Sequence, residues 1–167
     1  DRARKPQAVI FDTDMGNDID DALALQMLLN YQRDGLVDIK GITICKANPL
    51  AIEFVDSFCR YNCVDDIPLG YVYDGPNPDK GNFLLPTLSA SVNGKPLLSP
   101  VRNIDSGVPR SHEEIFRLLK ESEDKSVVLI ATGPLTNIAR LLEMEGGEEL
   151  MRSKVSRLCL MSGDFRG

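Results

Sequence analysis

The chain has 167 residues, 43% of them apolar, with 25 acidic against 19 basic side chains and a net charge of −6. This is length enough for one α/β domain with a real core. The acidic balance argues against nucleic acid as a partner, because phosphates are held by basic surface. No apolar run approaches the roughly 20 residues of a membrane span.

Ala8 to Phe11 is a short apolar run and reads as a buried strand. Five aspartates follow within ten residues: Asp12, Asp14, Asp18, Asp20 and Asp21. An apolar helix pattern comes next, about Asp20 to Tyr31, in which Ala22, Leu25, Leu28 and Leu29 share a face. Asp18 or Asp20 can cap it, and Gly35 supplies the left-handed turn after it. Val37 to Cys45 is rich in β-branched residues and predicts a second strand. Lys46-Ala47-Asn48-Pro49 reads as a loop, Leu50 to Tyr61 as a second helix, and Ile67 to Val72 as a third strand.

From about Asp74 to Pro109 six prolines and four glycines punctuate the chain and no period persists. The expectation there is an irregular excursion, either partly covering the acidic turn or lying loose on the surface. Order returns at Ser111-x-x-Glu114, which has the form of a capping box, ahead of a helix with Ile115, Leu118 and Leu119 on its apolar face. Val127 to Ala131 predicts a buried strand. Thr132 to Asn137 turns into a helix around Ile138, Leu141 and Leu142, which Gly146-Gly147 ends. A short helix over Glu148 to Arg152 and a last strand from Arg157 to Met161 follow. Strands alternate with helices, so the expected fold is an open, mostly parallel α/β sheet with helices on both faces, Rossmann-like. No glycine-rich nucleotide fingerprint is present.

The four cysteines, Cys45, Cys59, Cys63 and Cys159, form no Cys-x-x-Cys pair and read as buried thiols. That suits a reducing, cytoplasmic compartment. The chain opens on Asp1, with Arg2, Arg4 and Lys5 close by, and stops at Phe165-Arg166-Gly167, which suggests a processed or cut chain; export after removal of a signal peptide is the other option.

The chemistry centres on the aspartates. A helix start uses one or two acids, whereas five packed together repel unless a cation neutralises them. The carboxylates fall outside the carboxyl end of a strand, where open α/β sheets bind ligands. A hard, oxygen-seeking cation, Ca²⁺ or Mg²⁺, fits such donors. The plainer reading is a solvated acidic turn ahead of a capped helix.

Asp12-Thr13-Asp14-Met15-Gly16 and Asp20-Asp21-Ala22-Leu23-Ala24-Leu25 together resemble the N-terminal signature of the inosine–uridine-preferring nucleoside hydrolases: Asp-x-Asp-x-Gly-x-Asp-Asp-Ala after an apolar strand and before an apolar helix. This chain departs from it by two additional residues between the halves, leaving Asp18 extra. Thr132-Gly133-Pro134-Leu135-Thr136-Asn137-Ile138-Ala139 is similar to the family's Thr-Gly-x-Leu-Thr-Asn-x-Ala segment. Asn48 stands where the family has an asparagine near the sugar, although an Asn before Pro49 is also ordinary turn chemistry. Met161-Ser162-Gly163 resembles the family's Met-Gly-Gly. Family members are about twice this long, so the chain resembles their N-terminal half, either a single domain over 1–167 or part of a larger one.

The resemblance implies hydrolysis of the N-glycosidic bond of a ribonucleoside, a small uncharged partner, to free base and ribose, in purine and pyrimidine salvage. It implies Ca²⁺ as cofactor, with Asp14, Asp21 and the Thr132 carbonyl as ligands. Asp14 would take the proton from water, Asp20 and Asn48 would hold the ribose, and Asp12 and Asp18 would support the site from behind. It implies dimers or tetramers. It also implies that the rest of the site lies beyond Gly167, so that the fragment alone is inactive. His112, the one histidine, is expected exposed in the first turn of its helix. Two alternatives remain. Phe11-Asp12-Thr13-Asp14 also fits a haloacid-dehalogenase-like, Mg²⁺-dependent phosphatase with Asp12 as nucleophile, and a homologue could bind a sugar or nucleoside without turnover.

Overall fold

A computed structural model describes residues 5–16, 18–77 and 83–161. Seven strands and six α-helices follow in chain order among these residues: β1 Gln7–Thr13, α1 Asp20–Arg33, β2 Val37–Ile44, α2 Pro49–Tyr61, β3 Leu69–Tyr71, α3 Leu84–Leu88, β4 Ser91–Val92, β5 Lys95–Pro96, α4 Ser111–Lys120, β6 Val127–Ala131, α5 Thr136–Glu143, α6 Gly147–Lys154 and β7 Val155–Leu160. Five strands form one parallel sheet in the order β3-β2-β1-β6-β7. β4 and β5 make a separate small antiparallel pair.

The alternation of side chains along β1 explains the layering. Val9 and Phe11 enter one core with Leu25, Leu29, Ile52 and Val55 from α1 and α2. Ile10, between them, enters the other core with Ile115, Leu119, Ile138 and Leu141 from α4 and α5. A strand buried on both faces reads as an unbroken apolar run, which is what Ala8 to Phe11 is. The order of strands reverses at β1: the chain builds outward through β2 and β3, then returns to lay β6 on the other side of β1. The crevice beyond the carboxyl ends of β1 and β6 is therefore the switch point of the sheet.

Several boundaries differ from the sequence reading. The N-cap of α1 is Ile19, with no side-chain capping bond, so neither Asp18 nor Asp20 caps it; Asp20 and Asp21 lie in its first turn, where negative charge suits the dipole. The Ser111–Glu114 capping box does not form. Arg110 is the N-cap of α4, the Ser111 hydroxyl donates instead to the Ile44 carbonyl at 2.9 Å, and Glu114 pairs with Arg117 at 2.6 Å. A buried carbonyl at the end of β2 must be satisfied, and that need outweighs a local cap. β3 is shorter than expected, α6 is longer and runs straight into β7, and Met161 follows the end of that strand.

The excursion from Asp74 to Pro109 is anchored on α2. Phe83 meets Phe54 edge-on at 5.3 Å, and Leu84, Leu98 and Val108 join the core. Fully buried Asp56 of α2 accepts the backbone N–H groups of Val101 (2.8 Å) and Arg102 (3.1 Å) and the Arg102 Nε–H (2.6 Å). These donors hold its carboxyl below the ordinary range despite burial. In its described residues, 74–77 and 83–109, the excursion packs on the core as a strap instead of lying loose, and it returns beside β3, where the Tyr71 N–H donates to the Pro109 carbonyl at 2.9 Å. Cys45 and Cys59 are buried as expected, whereas Cys63 is exposed and Cys159 half-buried. Among the described residues no helix is long and apolar enough to cross a membrane.

Asp56→Ala would leave two backbone N–H groups and the Arg102 Nε–H without their acceptor and break the Arg60 ion pair, while Arg102 still donates to the Ile67 carbonyl. We expect a loss of about 3–5 kcal/mol in unfolding free energy by urea titration, with Asp56→Asn losing less because it keeps an acceptor oxygen. Wild-type stability in both variants would show that the strap is held by its apolar contacts alone.

Candidate active site

The site is built where β1, β2 and β6 end. Asp12, the penultimate residue of β1, is wholly buried. Its Oδ1 accepts the Thr43 hydroxyl of β2 at 2.6 Å and the Asn137 side-chain N–H of α5 at 2.8 Å. The Asn137 amide also donates to the Ile44 carbonyl at 3.1 Å. Asp12 Oδ2 and Asn137 Oδ1 are buried with no hydrogen-bond partner among the described residues. Burial raises the Asp12 carboxyl to about 7, against the pull of its two donors.

Asp14 follows at the mouth of the crevice, half-buried. Its carboxyl is also pushed up to about 7, first by burial, then by the hydrogen-bonded and negatively charged Asp21 beside it, with Lys46 acting the other way. Asp21 comes from the first turn of α1, is buried, and accepts the Thr132 hydroxyl at 2.6 Å. Thr132 is the first residue past β6, and its N–H donates to the Asp12 carbonyl at 2.9 Å. Gly133 lets these parts meet. A β-carbon there would stand 2.6 Å from Asp14 Cβ and 2.8 Å from Cys45 Sγ, closer than side chains can approach.

The five aspartates therefore separate. Asp14 and Asp21 adjoin each other; Asp12 lies beneath them in the sheet; Asp18 and Asp20 are exposed at the start of α1. Among the described residues no group of three or more acidic, histidine or cysteine side chains forms a metal cluster. Two adjoining carboxylates beside the Thr132 hydroxyl, in a cradle that a β-carbon would fill, nevertheless fit an oxygen-seeking cation in part. Calcium takes about six to eight oxygens, so water, ligand hydroxyls or other donors would complete the set.

Asn48 is buried at the N-cap of α2, its Oδ1 accepting the Leu50 N–H at 3.1 Å. His112 is half-buried in α4 rather than exposed, and burial lowers its pKa. Ser162 and Gly163, of the Met161-Ser162-Gly163 resemblance, lie outside the described residues. Two residues escaped the sequence reading. Lys46, read as loop, is completely buried, and Asn137, read only as part of a turn motif, holds Asp12. A lysine directly after an apolar strand is the signal that was available for the first. Cys45, behind Asp14, is driven far above the ordinary thiol range by burial and the carboxylates, which makes it inert.

An open parallel α/β sheet with an acidic pair at its switch point carries that pair where such sheets bind their ligands. Residues 9–167 match the family model for inosine-uridine preferring nucleoside hydrolase, and the chain belongs to that family. Solved structures share its fold. A plant nucleoside hydrolase is 23% identical with a TM-score of 0.70, covering 95% of this chain and 48% of its own. The inosine-uridine preferring nucleoside hydrolase from Bacillus anthracis is 24% identical, TM-score 0.67, covering 96% and 51%. The type III effector protein XopQ, complexed with adenosine diphosphate ribose, is 16% identical, TM-score 0.72, covering 99% and 46%. The chain thus spans about half the length of these proteins. No curated protein sequence matches it significantly. The phosphatase alternative gains nothing from the structure: Asp12, its nucleophile, is wholly buried with one oxygen taken by two donors.

Asp12 makes stability depend on pH. Its folded pKa of about 7 lies above the ordinary 3.8, so the folded chain holds a proton that the unfolded chain has lost between those values. The stabilisation is complete below the lower value and is lost as pH rises through the upper one. Asp12→Asn keeps the Oδ1 acceptor and removes the titration. In chelator, the wild-type minus variant difference in unfolding free energy should fall from about pH 4 to 7 and then level, as read by urea titrations across that range. A flat difference would mean that Asp12 ionises as an ordinary carboxyl.

Proposed function

We propose that the chain carries the acidic half of a nucleoside hydrolase site and that the complete protein cleaves the N-glycosidic bond of ribonucleosides. The observation behind this reading is the meeting of Asp14, Asp21 and Thr132, which lie far apart in sequence, at the switch point of the sheet. Ca²⁺ is the proposed cofactor, held by the Asp14 and Asp21 carboxylates and the Thr132 carbonyl. When bound, it would neutralise the acid pair and make a water acidic enough to act as nucleophile near neutral pH.

The chain's own residues do the rest. Asp14 would take the proton from the attacking water, a role suited to a half-buried carboxylate at the mouth of the crevice. The Thr132 hydroxyl fixes the Asp21 carboxylate, and Thr43 with Asn137 fixes Asp12 below. Asp20, exposed at the crevice end of α1, and Asn48, through the side-chain amide that its capping oxygen orients, would bind ribose hydroxyls. Negative charge around the ribose favours the oxocarbenium-like transition state. Asp18 would support the turn. The half-length coverage of the solved relatives supports the further proposal that a polypeptide ending at Gly167 is inactive by itself.

The fold shared with the effector complexed with adenosine diphosphate ribose favours a second reading, binding of a ribose-containing ligand without turnover. One experiment separates them. Using the complete natural chain, free ribose is measured after incubation with a panel of purine and pyrimidine nucleosides, with and without chelator. The expected result is release that chelator stops and that Asp14→Ala lowers at least 10³-fold, on the scale of losing a general base together with an ion ligand. Ligand binding with no release would establish the second reading, and neither binding nor release would remove both.

A further inference from the structure

The outward side of α1 carries a row of apolar side chains that stand in solvent. Ile19, Leu23, Met27 and Tyr31 recur every four residues and so share one ridge, exposed by 56%, 63%, 53% and 41%. The opposite side of the helix, with Leu25, Leu28 and Leu29, is already buried in the core. From Ala22 to Gln32 the helix holds no charged residue at all. A helix at the surface of a domain shows charge on its outward side, as α4 does with Glu113, Arg117 and Lys120. A helix that is apolar on both sides is built to be covered on both. The exposed charges of α1 lie at its ends. Asp18 and Asp20 stand at the start, and Arg33 at the finish, where it makes only a loose pair with Asp34 at 3.8 Å. Beside that finish opens a groove of about 300 Å³, lined in part by Tyr31, Leu36 and Val37.

We propose that this ridge is the docking surface for a second copy of the chain, in a symmetric dimer whose two α1 helices lie antiparallel. The surface is complementary to itself in that arrangement. A two-fold axis crossing the ridge at the level of Leu25 sets Leu23 against Met27 of the second copy and Ile19 against its Tyr31, each contact being made twice. The same axis brings the acidic start of each helix to the Arg33 end of the other and opposes the two helix dipoles. A parallel arrangement would instead set Asp18 and Asp20 against their own copies. Ile19 enters the groove beside Tyr31 and Leu36 of the second copy. The partner that fits is therefore an apolar row, uncharged along its middle, with opposite charges at its two ends, and α1 itself has that form. The pairing also carries Arg33 of the second copy to the Asp18–Asp20 end of α1, so the dimer adds a cation at the rim of the crevice.

The test is the solution mass of the complete natural chain by analytical ultracentrifugation at micromolar concentration, for wild type, Leu23→Asp, Met27→Lys and an equimolar mixture of the two variants. Wild type should run at an even multiple of the chain mass. Each variant alone should fall to half the wild-type mass, because its new charge is buried twice over without a partner. The mixture should return to the wild-type mass, because the acid of one copy then meets the base of the other across the axis. Variants that are unfolded by circular dichroism when alone, and that fold at wild-type mass when mixed, support the inference equally. A monomeric wild type would overturn it, as would single variants that keep the wild-type mass, since the copies would then meet elsewhere. Variants that mixing does not restore, folded or unfolded, would overturn it as well and give the ridge to the remainder of its own polypeptide.

Discussion

The buried carboxylate of Asp12 is the constraint around which the molecule is arranged. It cannot be solvated, so its Oδ1 must be satisfied by protein, and the donors come from 31 and 125 residues away. Thr43 ties β1 to β2 and Asn137 ties both to α5, while Ser111 of α4 and Asn137 converge on the Ile44 carbonyl. One polar network therefore fixes the ends of two neighbouring strands and the starts of two helices. Such a network is costly if half made and specifying if complete. Its place beneath Asp14 and Asp21 means that the same bonds that hold the sheet also aim the acidic pair.

That arrangement divides the acidic stretch by function. Asp12 is structural in its contacts, Asp14 and Asp21 face one another at the crevice, and Asp18 and Asp20 meet solvent. Asp14 and Asp21 adjoin where the Thr132 hydroxyl donates to the Asp21 carboxylate. The strap from Asp74 to Pro109 serves a separate end. Its apolar residues finish the core over α2, and Asp74, paired with Arg110 at 3.1 Å and Arg140 at 2.6 Å, ties its start to α4 and α5.

Much of this was legible in the chain alone. Apolar runs bounded by turn residues mark β1 and β6, and the β-branched residues of Val37 to Cys45 mark β2. The 3.6-residue spacing of Leu25, Leu28 and Leu29, and of Ile115, Leu118 and Leu119, marks helices that bury one face. Repeated strand–helix order then leaves a parallel sheet as the natural outcome. The acidic turn and the Thr132–Asn137 segment pointed to the family before any fold was known. Local capping signals were less dependable: the Ser111 hydroxyl and the Asp18–Asp20 carboxylates had partners or positions that nearby sequence does not encode.

What the sequence by itself determined was the class of fold and the identity of the acidic residues, since periodicity and residue type are local properties. Tertiary structure alone decided which acids adjoin, which are buried, and that Lys46 is buried as well. Those facts depend on strands whose order in space, β3-β2-β1-β6-β7, departs from their order along the chain. Proximity across such a switch point is set by the burial of two apolar faces at once, and no spacing within a single segment records it.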